Sequence, residues 1–418
     1  MNDALTSPDE SGQSDNGGQP AMQAKPIHDL SEFEANAKQV TSLKTGTTST
    51  LAVLRWPFSK ISRIVEWLFG VVSMIGLLTI CAAIPILQFM ALGYLLEIST
   101  RIVHRKKVRE GFIGIRRAAR IGGFALGTTL VWLPTYNVSG IYHDAHILLA
   151  DADELRPFDI NLSIVIMLTS VYTMWAWIRG GKIRHFLWPA PIRFFKSVLK
   201  RDLYLQTIED FWIFVASLHL KELFVLGFCG FLGAAAWLFL PVLLCIGGTQ
   251  LPEGLRGLAT LFGLPLLALV LVYLPIMQTR YAVERRFKVF LEIKETRAVF
   301  KLAPIALWIS MLSVWAFALP VYLAKIQLTP REVFLLPTLV FVIFAWPSRI
   351  LMGWAYGRAD KQKTNRNIIS IWLARLAIIP VVSIYAGVVF LSRYTSWYGD
   401  WSLFEQHALL IPIPLLGG

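Results

Sequence analysis

The chain has 418 residues, 55% of them hydrophobic and only 16% charged, where a soluble domain of this size carries about a quarter charged residues. That balance excludes an ordinary soluble enzyme and describes an integral membrane protein. A formal net charge of +13 would suit a nucleic-acid partner in a soluble chain. Here the basic residues fall in the links between apolar runs, as the positive-inside rule requires, so no nucleic acid is expected.

Residues 1–50 open with MNDALTSPDESGQSDNGGQP, rich in Ser, Gly, Asp and Pro and lacking a basic start followed by an apolar core. They are predicted to form a disordered cytoplasmic tail and not a signal peptide. Residues 51–66, within TSTLAVLRWPFSKISRIVEW, read as an amphipathic helix lying on the inner membrane surface.

From Trp67 the chain becomes apolar through WLFGVVSMIGLLTICAAIPILQFMALGYLLEISTR, with Pro85 in the middle. A span needs about 20 apolar residues, because a helix rises ~1.5 Å per residue through ~30 Å of hydrocarbon. This run is too long for one upright helix. A single crossing would put the tail outside although Arg55, Lys60 and Arg63 flank it. A break at Pro85 would return the chain to the cytoplasm as a re-entrant hairpin, because proline removes one backbone bond and clashes with the preceding turn. The alternative is one long, kinked and tilted helix.

Further apolar runs lie at Ile121 to Pro134, Ile160 to Ile178, Leu223 to Ile246, Leu255 to Pro275, Ala303 to Leu323, Val333 to Leu351 and Ile368 to Leu391. Their apolar residues are continuous instead of alternating, which excludes a barrel. The fold class is therefore all-α, a polytopic helical bundle of about eight membrane segments over residues 67–393, counting the opening run once. The links alternate in charge. Arg101, Arg105, Lys106, Lys107, Arg109, Arg116, Arg117 and Arg120 face a single acid, Glu110, and mark the inside; the link with Asp144, Asp151, Asp153, Glu154 and Asp159 marks the outside. Residues 394–418, with RYTSWYGDWSLFEQH, are predicted as an aromatic tail at the outer face.

Two stretches share a motif, IPILQ ending at Gln88 and LPIMQ ending at Gln278, and WPSRILMGWAYGR is a looser third copy containing Arg349. Each places a proline ahead of a polar side chain able to satisfy freed carbonyls. Pro85 and Pro275 are therefore candidate helix breaks, with Gln88, Gln278 and Arg349 as candidate polar intramembrane positions; paired broken helices of this kind frame sites in transporters. The alternative is chance recurrence in apolar sequence. Arg375, about two turns into the last span, is a fourth candidate, either functional or snorkelling to the inner surface.

IPILQFMALGYLLEISTRIV followed by a basic link, and later RYAVERRFKVFLEIKETRAVFKLAP, resemble the uncharacterised prokaryotic membrane-protein family called domain of unknown function 4013. Gly93 and Tyr94 match its first element, and Arg280, Tyr281, Phe287 and Phe290 its second. The match covers about a third of the chain, interrupted by a long insertion and followed by extra spans. The resemblance implies a prokaryotic membrane protein with interfacial helices and supplies no activity.

Val283, Phe287, Phe290 and Leu291 recur at helical spacing and predict an amphipathic surface helix; Ile192, Phe195 and Leu199 predict another. Such helices either anchor the bundle or offer anionic lipid a basic cytoplasmic face. Chemistry is harder to find. Cys81, Cys229 and Cys245 all lie in apolar runs and read as small hydrophobes, without disulfide or metal use. No nucleophile with its base, paired metal-binding histidines or phosphate loop is present; His143 and His146 sit in an acidic link that is more simply solvated. No catalytic, cofactor or metal residue is therefore assigned. The expectation is a non-enzymatic scaffold or lipid-associated component of the bacterial cytoplasmic membrane, with anionic lipids and other proteins as partners. The alternative is a transporter or permease with a site between helices broken at Pro85 and Pro275.

Overall fold

The computed structural model describes residues 51–148, 152–188, 201–250, 252–324 and 335–410, apart from 363, 365, 366, 397 and 398. Residues 1–61 form a unit of their own, of which the described part is the helical start from Leu51, and 62–418 form the second. The described residues are helical, with no strand among them. In chain order the helices are α1 (Leu51–Ala83), α2 (Gln88–Arg105), α3 (Ile115–Leu148), α4 (Ala152–Ile178), α5 (Ile183–Leu187), α6 (Arg201–Ser217), α7 (Leu220–Gln250), α8 (Glu253–Glu284), α9 (Ile293–Leu302), α10 (Pro304–Ala324), α11 (Leu336–Asp360) and α12 (Ile368–Thr395). Seven helical stretches are long and apolar enough to cross a membrane. They include α1 from Ser62, α4, α8, α10, α11 and α12, and one stretch, Leu205–Gly247, that runs through α6 and α7. Helix α3, which holds the run from Ile121 to Pro134, is not among them. Residues 51–66, expected as an amphipathic segment, are helical.

Residues 84–87 separate α1 from α2. The ring of Trp67 near the start of the α1 span lies 5.4 Å from that of Phe112, just past the end of α2, and Ile115 sits against Gly70. Entry and exit therefore share one end of the bundle, and α1 with α2 forms a hairpin turning at Ile84–Leu87. Both arms are about as long as a hydrocarbon core is thick, ~30 Å.

Helix α2 is the most enclosed element, with Leu92, Leu95, Leu96 and Ile98 almost wholly buried. Two close approaches hold it. Against α7, a Cβ on Gly93 would come within 1.8 Å of the Leu223 carbonyl oxygen, and one on Gly227 within 1.8 Å of the Phe89 oxygen. Against α11, a Cβ on Gly353 would meet the Ser99 Cα at 2.8 Å. Lipid-embedded helices have little hydrophobic drive to associate, so small residues that bring backbones together supply van der Waals contact instead.

The links after α2 and α8 are built alike. Lys106 and Arg285 both adopt left-handed backbone, with φ of 58° and 55°, and cap their helices by bonding back to Ile102 and Tyr281. An extended residue follows, Lys107 or Arg286, and then a 3-10 turn, Val108–Gly111 or Phe287–Leu291. Each turn is pinned by a tryptophan indole: Trp346 donates to the Gly111 carbonyl at 3.3 Å and Trp237 to that of Phe290 at 2.8 Å. This link corrects the surface helix expected through Val283, Phe287, Phe290 and Leu291. Arg285 ends the helix, and the turn buries Phe290 against Tyr281 while Leu291 points outward. The counterpart expected around Ile192, Phe195 and Leu199 lies outside the described residues.

After α12 the chain turns back into the bundle. A 3-10 turn, Gly399–Phe404, packs on α7 and α12, and Leu403, Gln406, His407 and Leu409 are all buried. Over residues 399–410 the segment expected as an aromatic tail is thus a strap packed on the bundle, with Trp401 exposed.

Candidate functional site

Two features stand apart from ordinary packing. The first is a polar centre inside the bundle. Arg349 lies near the midpoint of α11, between the α10 contacts Ser310 to Met352 (3.1 Å) and Phe317 to Phe344 (5.8 Å). Its side chain reaches α8, where Nη2 donates to Oε1 of Gln278 at 3.0 Å. Gln278 in turn donates from Nε2 to the carbonyl of Leu409 in the strap, at 3.1 Å. The carbonyl of Arg349 accepts from Ser99 of α2 at 2.9 Å. One guanidinium and one amide thus join α11, α8 and the strap, and the Arg349 main chain adds α2. Tyr322 of α10 holds the strap a second time, donating to the Glu405 carbonyl at 3.0 Å. Its ring lies beside His407, with centroids 4.4 Å apart, and its hydroxyl is 3.5 Å from that of Tyr385 on α12.

Of the sequence-derived candidates, Gln278 and Arg349 come together and the others do not. Gln88 is buried in the first turn of α2, without a hydrogen bond to that pair. Arg375 is half-buried on α12 and stacks its guanidinium 5.7 Å from the ring of its neighbour Trp372. Pro85 lies in the interruption between α1 and α2, whereas Pro275 sits inside α8, which continues to Glu284. The break expected at Pro275 is therefore absent. One missing N–H is tolerated within a bundle where neighbouring groups absorb it, and the Gln278 amide is turned toward the strap instead.

The second feature is the basic end of the bundle. A pocket of ≈ 340 Å³ opens between the ends of α2 and α11. Ile102, Val108 and Gly357 form its apolar wall, and Lys106, Arg358 and Lys361 bring three cations to it. The Arg358 guanidinium lies 5.7 Å from the ring of Trp354, which also lines the pocket. None of the three cations belongs to an ion pair among the described residues. Sequence reading had placed basic residues here but not the cleft, which needs α2 and α11, some 250 positions apart in the chain, to end side by side.

Beside it, carboxylates and arginines pair off. Arg280, 5% exposed in its side chain, bonds Glu284 at 2.9 Å and Glu292 at 2.8 Å, and Glu97 holds Arg101 at 3.0 Å and Arg285 at 2.5 Å. Arg286 also pairs with Glu284, a hydrogen bond that raises its pKa above the ordinary guanidinium value. This cluster ties the α8 link to α9 and to α2.

Among the described residues no group of three or more His, Cys, Asp or Glu side chains is placed to hold a metal. Tyr142 and His146 meet edge to face in the last turns of α3, with ring centroids 5.8 Å apart. Comparison with protein-family models, curated proteins and solved structures finds no match.

Proposed function

We propose that this multi-pass membrane protein is a non-enzymatic, lipid-associated component of a bacterial cytoplasmic membrane, and that its basic end captures an anionic phospholipid headgroup. The observation that carries this reading is the pocket between α2 and α11. An apolar wall meets three cations outside any ion pair at the end of the bundle where the basic links gather. That combination suits a phosphate joined to acyl chains, and each basic residue near an anionic surface contributes about 1 kcal/mol of attraction.

A kinship with domain of unknown function 4013 belongs to the same proposal. Its residues fall at structural joints: Gly93 at the contact with α7, Tyr94 donating to the Ile113 carbonyl at 2.9 Å, and Arg280 in the ion-pair cluster.

The test is thermal unfolding in micelles doped with phosphatidylglycerol or phosphatidylcholine. Phosphatidylglycerol should stabilise the native chain, and Lys106→Gln/Arg358→Gln/Lys361→Gln should lose the difference. Inorganic phosphate should not reproduce it, because the apolar wall has no partner there. Equal responses of native chain and triple variant would sink the proposal.

A second reading, a permease, is favoured by the contact between Arg349 and Gln278 inside the bundle. Solute flux in proteoliposomes that Gln278→Leu abolishes would support it.

A further inference from the structure

We propose that the bundle interior beside Arg349 is a binding site for a small monovalent anion, a carboxylate or a halide, reached past the C-terminal strap. Nη1 of Arg349 is fully buried and has no hydrogen-bond partner, in a residue only 4% exposed. None of the ion pairs among the described residues includes Arg349, and the glutamates Glu97, Glu110, Glu284 and Glu292 are held by other arginines. A charged side chain at membrane depth without a counter-ion is costly, about 2.5–3.5 kcal/mol on insertion scales, and marks a site where a partner is brought in.

The surrounding chemistry defines that partner. The one side-chain acceptor bonded to the guanidinium, Oε1 of Gln278, is already taken by Nη2, and the amide nitrogen of Gln278 donates to Leu409. Nη1 itself can only donate, so the ligand must accept. One guanidinium without a counter-ion supplies a single positive charge, which a singly charged anion neutralises.

The strap gives the route. Residues 399–410 return from the end of α12 and are held by hydrogen bonds to two main-chain carbonyls, those of Glu405 and Leu409. Gln278, which holds Nη2, also holds the strap through the Leu409 carbonyl, so the guanidinium and the strap are linked through one side chain. Two further buried atoms, Nε1 of Trp315 in α10 and Oε1 of Gln406 in the strap, have no hydrogen-bond partner either. The inference stands on this geometry whether or not the chain moves a solute, and it is separate from the lipid pocket.

The test is thermal unfolding of the full chain in detergent, titrated with sodium acetate or sodium chloride at constant ionic strength set by sodium isethionate. The native chain should show a saturable rise of about 2 °C or more with at least one anion. Arg349→Met should show none. A response to acetate alone identifies a carboxylate site, and one to chloride alone a halide site. A flat response of the native chain to both, or the same rise in Arg349→Met, overturns the proposal. Should Arg349→Met fail to fold, equilibrium dialysis of the native chain against radiolabelled acetate and chloride decides. Saturable binding near one ion per chain supports the site, and its absence overturns it.

Discussion

Arg349 and Gln278, 71 positions apart, meet inside the bundle through a 3.0 Å hydrogen bond. The two ends of that bond are not equivalent. Gln278→Leu removes the partner of a buried charge and the donor to Leu409, and is expected to destabilise by about 2–4 kcal/mol. Arg349→Met removes a cation lacking a counter-ion and leaves one neutral oxygen unpaired, for about 1 kcal/mol or less. The double variant should then be more stable than Gln278→Leu alone, giving a coupling of at least about 1 kcal/mol. Reversible unfolding in mixed micelles measures all three. Additive effects would show that the contact carries no energy.

The glycine contacts of α2 give a sharper steric expectation. At Gly93 or Gly227 an added methyl would lie 1.8 Å from a backbone oxygen of the facing helix, and no rotamer can relieve that. Gly93→Ala and Gly227→Ala should each cost about 3 kcal/mol or prevent folding. Gly76 on α1 is the control, since a Cβ there meets nothing within 4 Å. Gly76→Ala should be neutral or stabilise by up to about 1 kcal/mol, because alanine gives up less backbone entropy in a helix. Expression and monodispersity in detergent give a first reading and unfolding a second.

How much of this was legible beforehand depends on the range over which each feature is encoded. Membrane helices are local, since about 20 apolar residues satisfy their own backbone bonds, and so the all-α bundle could be read directly. Gln278 and Arg349 were visible one at a time because polar and charged groups are rare at that depth. Their contact was not, because it depends on how α8 and α11 pack. The strap was missed for a related reason. GDWSLFEQHALL has the aromatic and polar character of an interface, and its burial depends on Tyr322 and Gln278, 83 and 131 positions away. The repeated Pro-Ile-Leu/Met-Gln motif pointed to a repeat in the wrong place. The matching parts are the left-handed caps at Lys106 and Arg285 and the tryptophan-pinned turns after them, whose sequences RKKVREGF and ERRFKVFL share little beyond basic charge. A left-handed cap is usually signalled by glycine or asparagine, and neither stands there.

The ion-pair cluster at the end of α8 makes a different kind of demand. Arg280 bonds two carboxylates, one in its own helix and one beyond the turn, and also donates to the Glu292 carbonyl at 3.2 Å. Lysine cannot reproduce that planar fork. Arg280→Lys is expected to cost about 1–2 kcal/mol and Arg280→Ala about 3 kcal/mol or more, because the alanine removes the buried cation and leaves the two glutamates only the exposed Arg286. A Lys variant as stable as the native chain would show that charge alone suffices.

The α1–α2 hairpin makes a claim about sidedness. With the three native cysteines replaced, single cysteines at Ser62, Lys107 and Ile147 report the two ends of the hairpin and the far end of α3; all three positions are exposed. The contact of Trp67 with Phe112 requires Ser62 and Lys107 to share a side, which the positive-inside rule predicts to be the cytoplasm. A membrane-impermeant thiol reagent should label both only after lysis, and Ile147 in intact cells if α3 crosses. Labelling of position 62 in intact cells with position 107 protected would place the hairpin's ends on opposite sides and remove the fold's central element. Protection of position 147 together with the other two would leave the hairpin intact but make α3 a helix that does not cross, in keeping with its absence from the helices apolar enough to span.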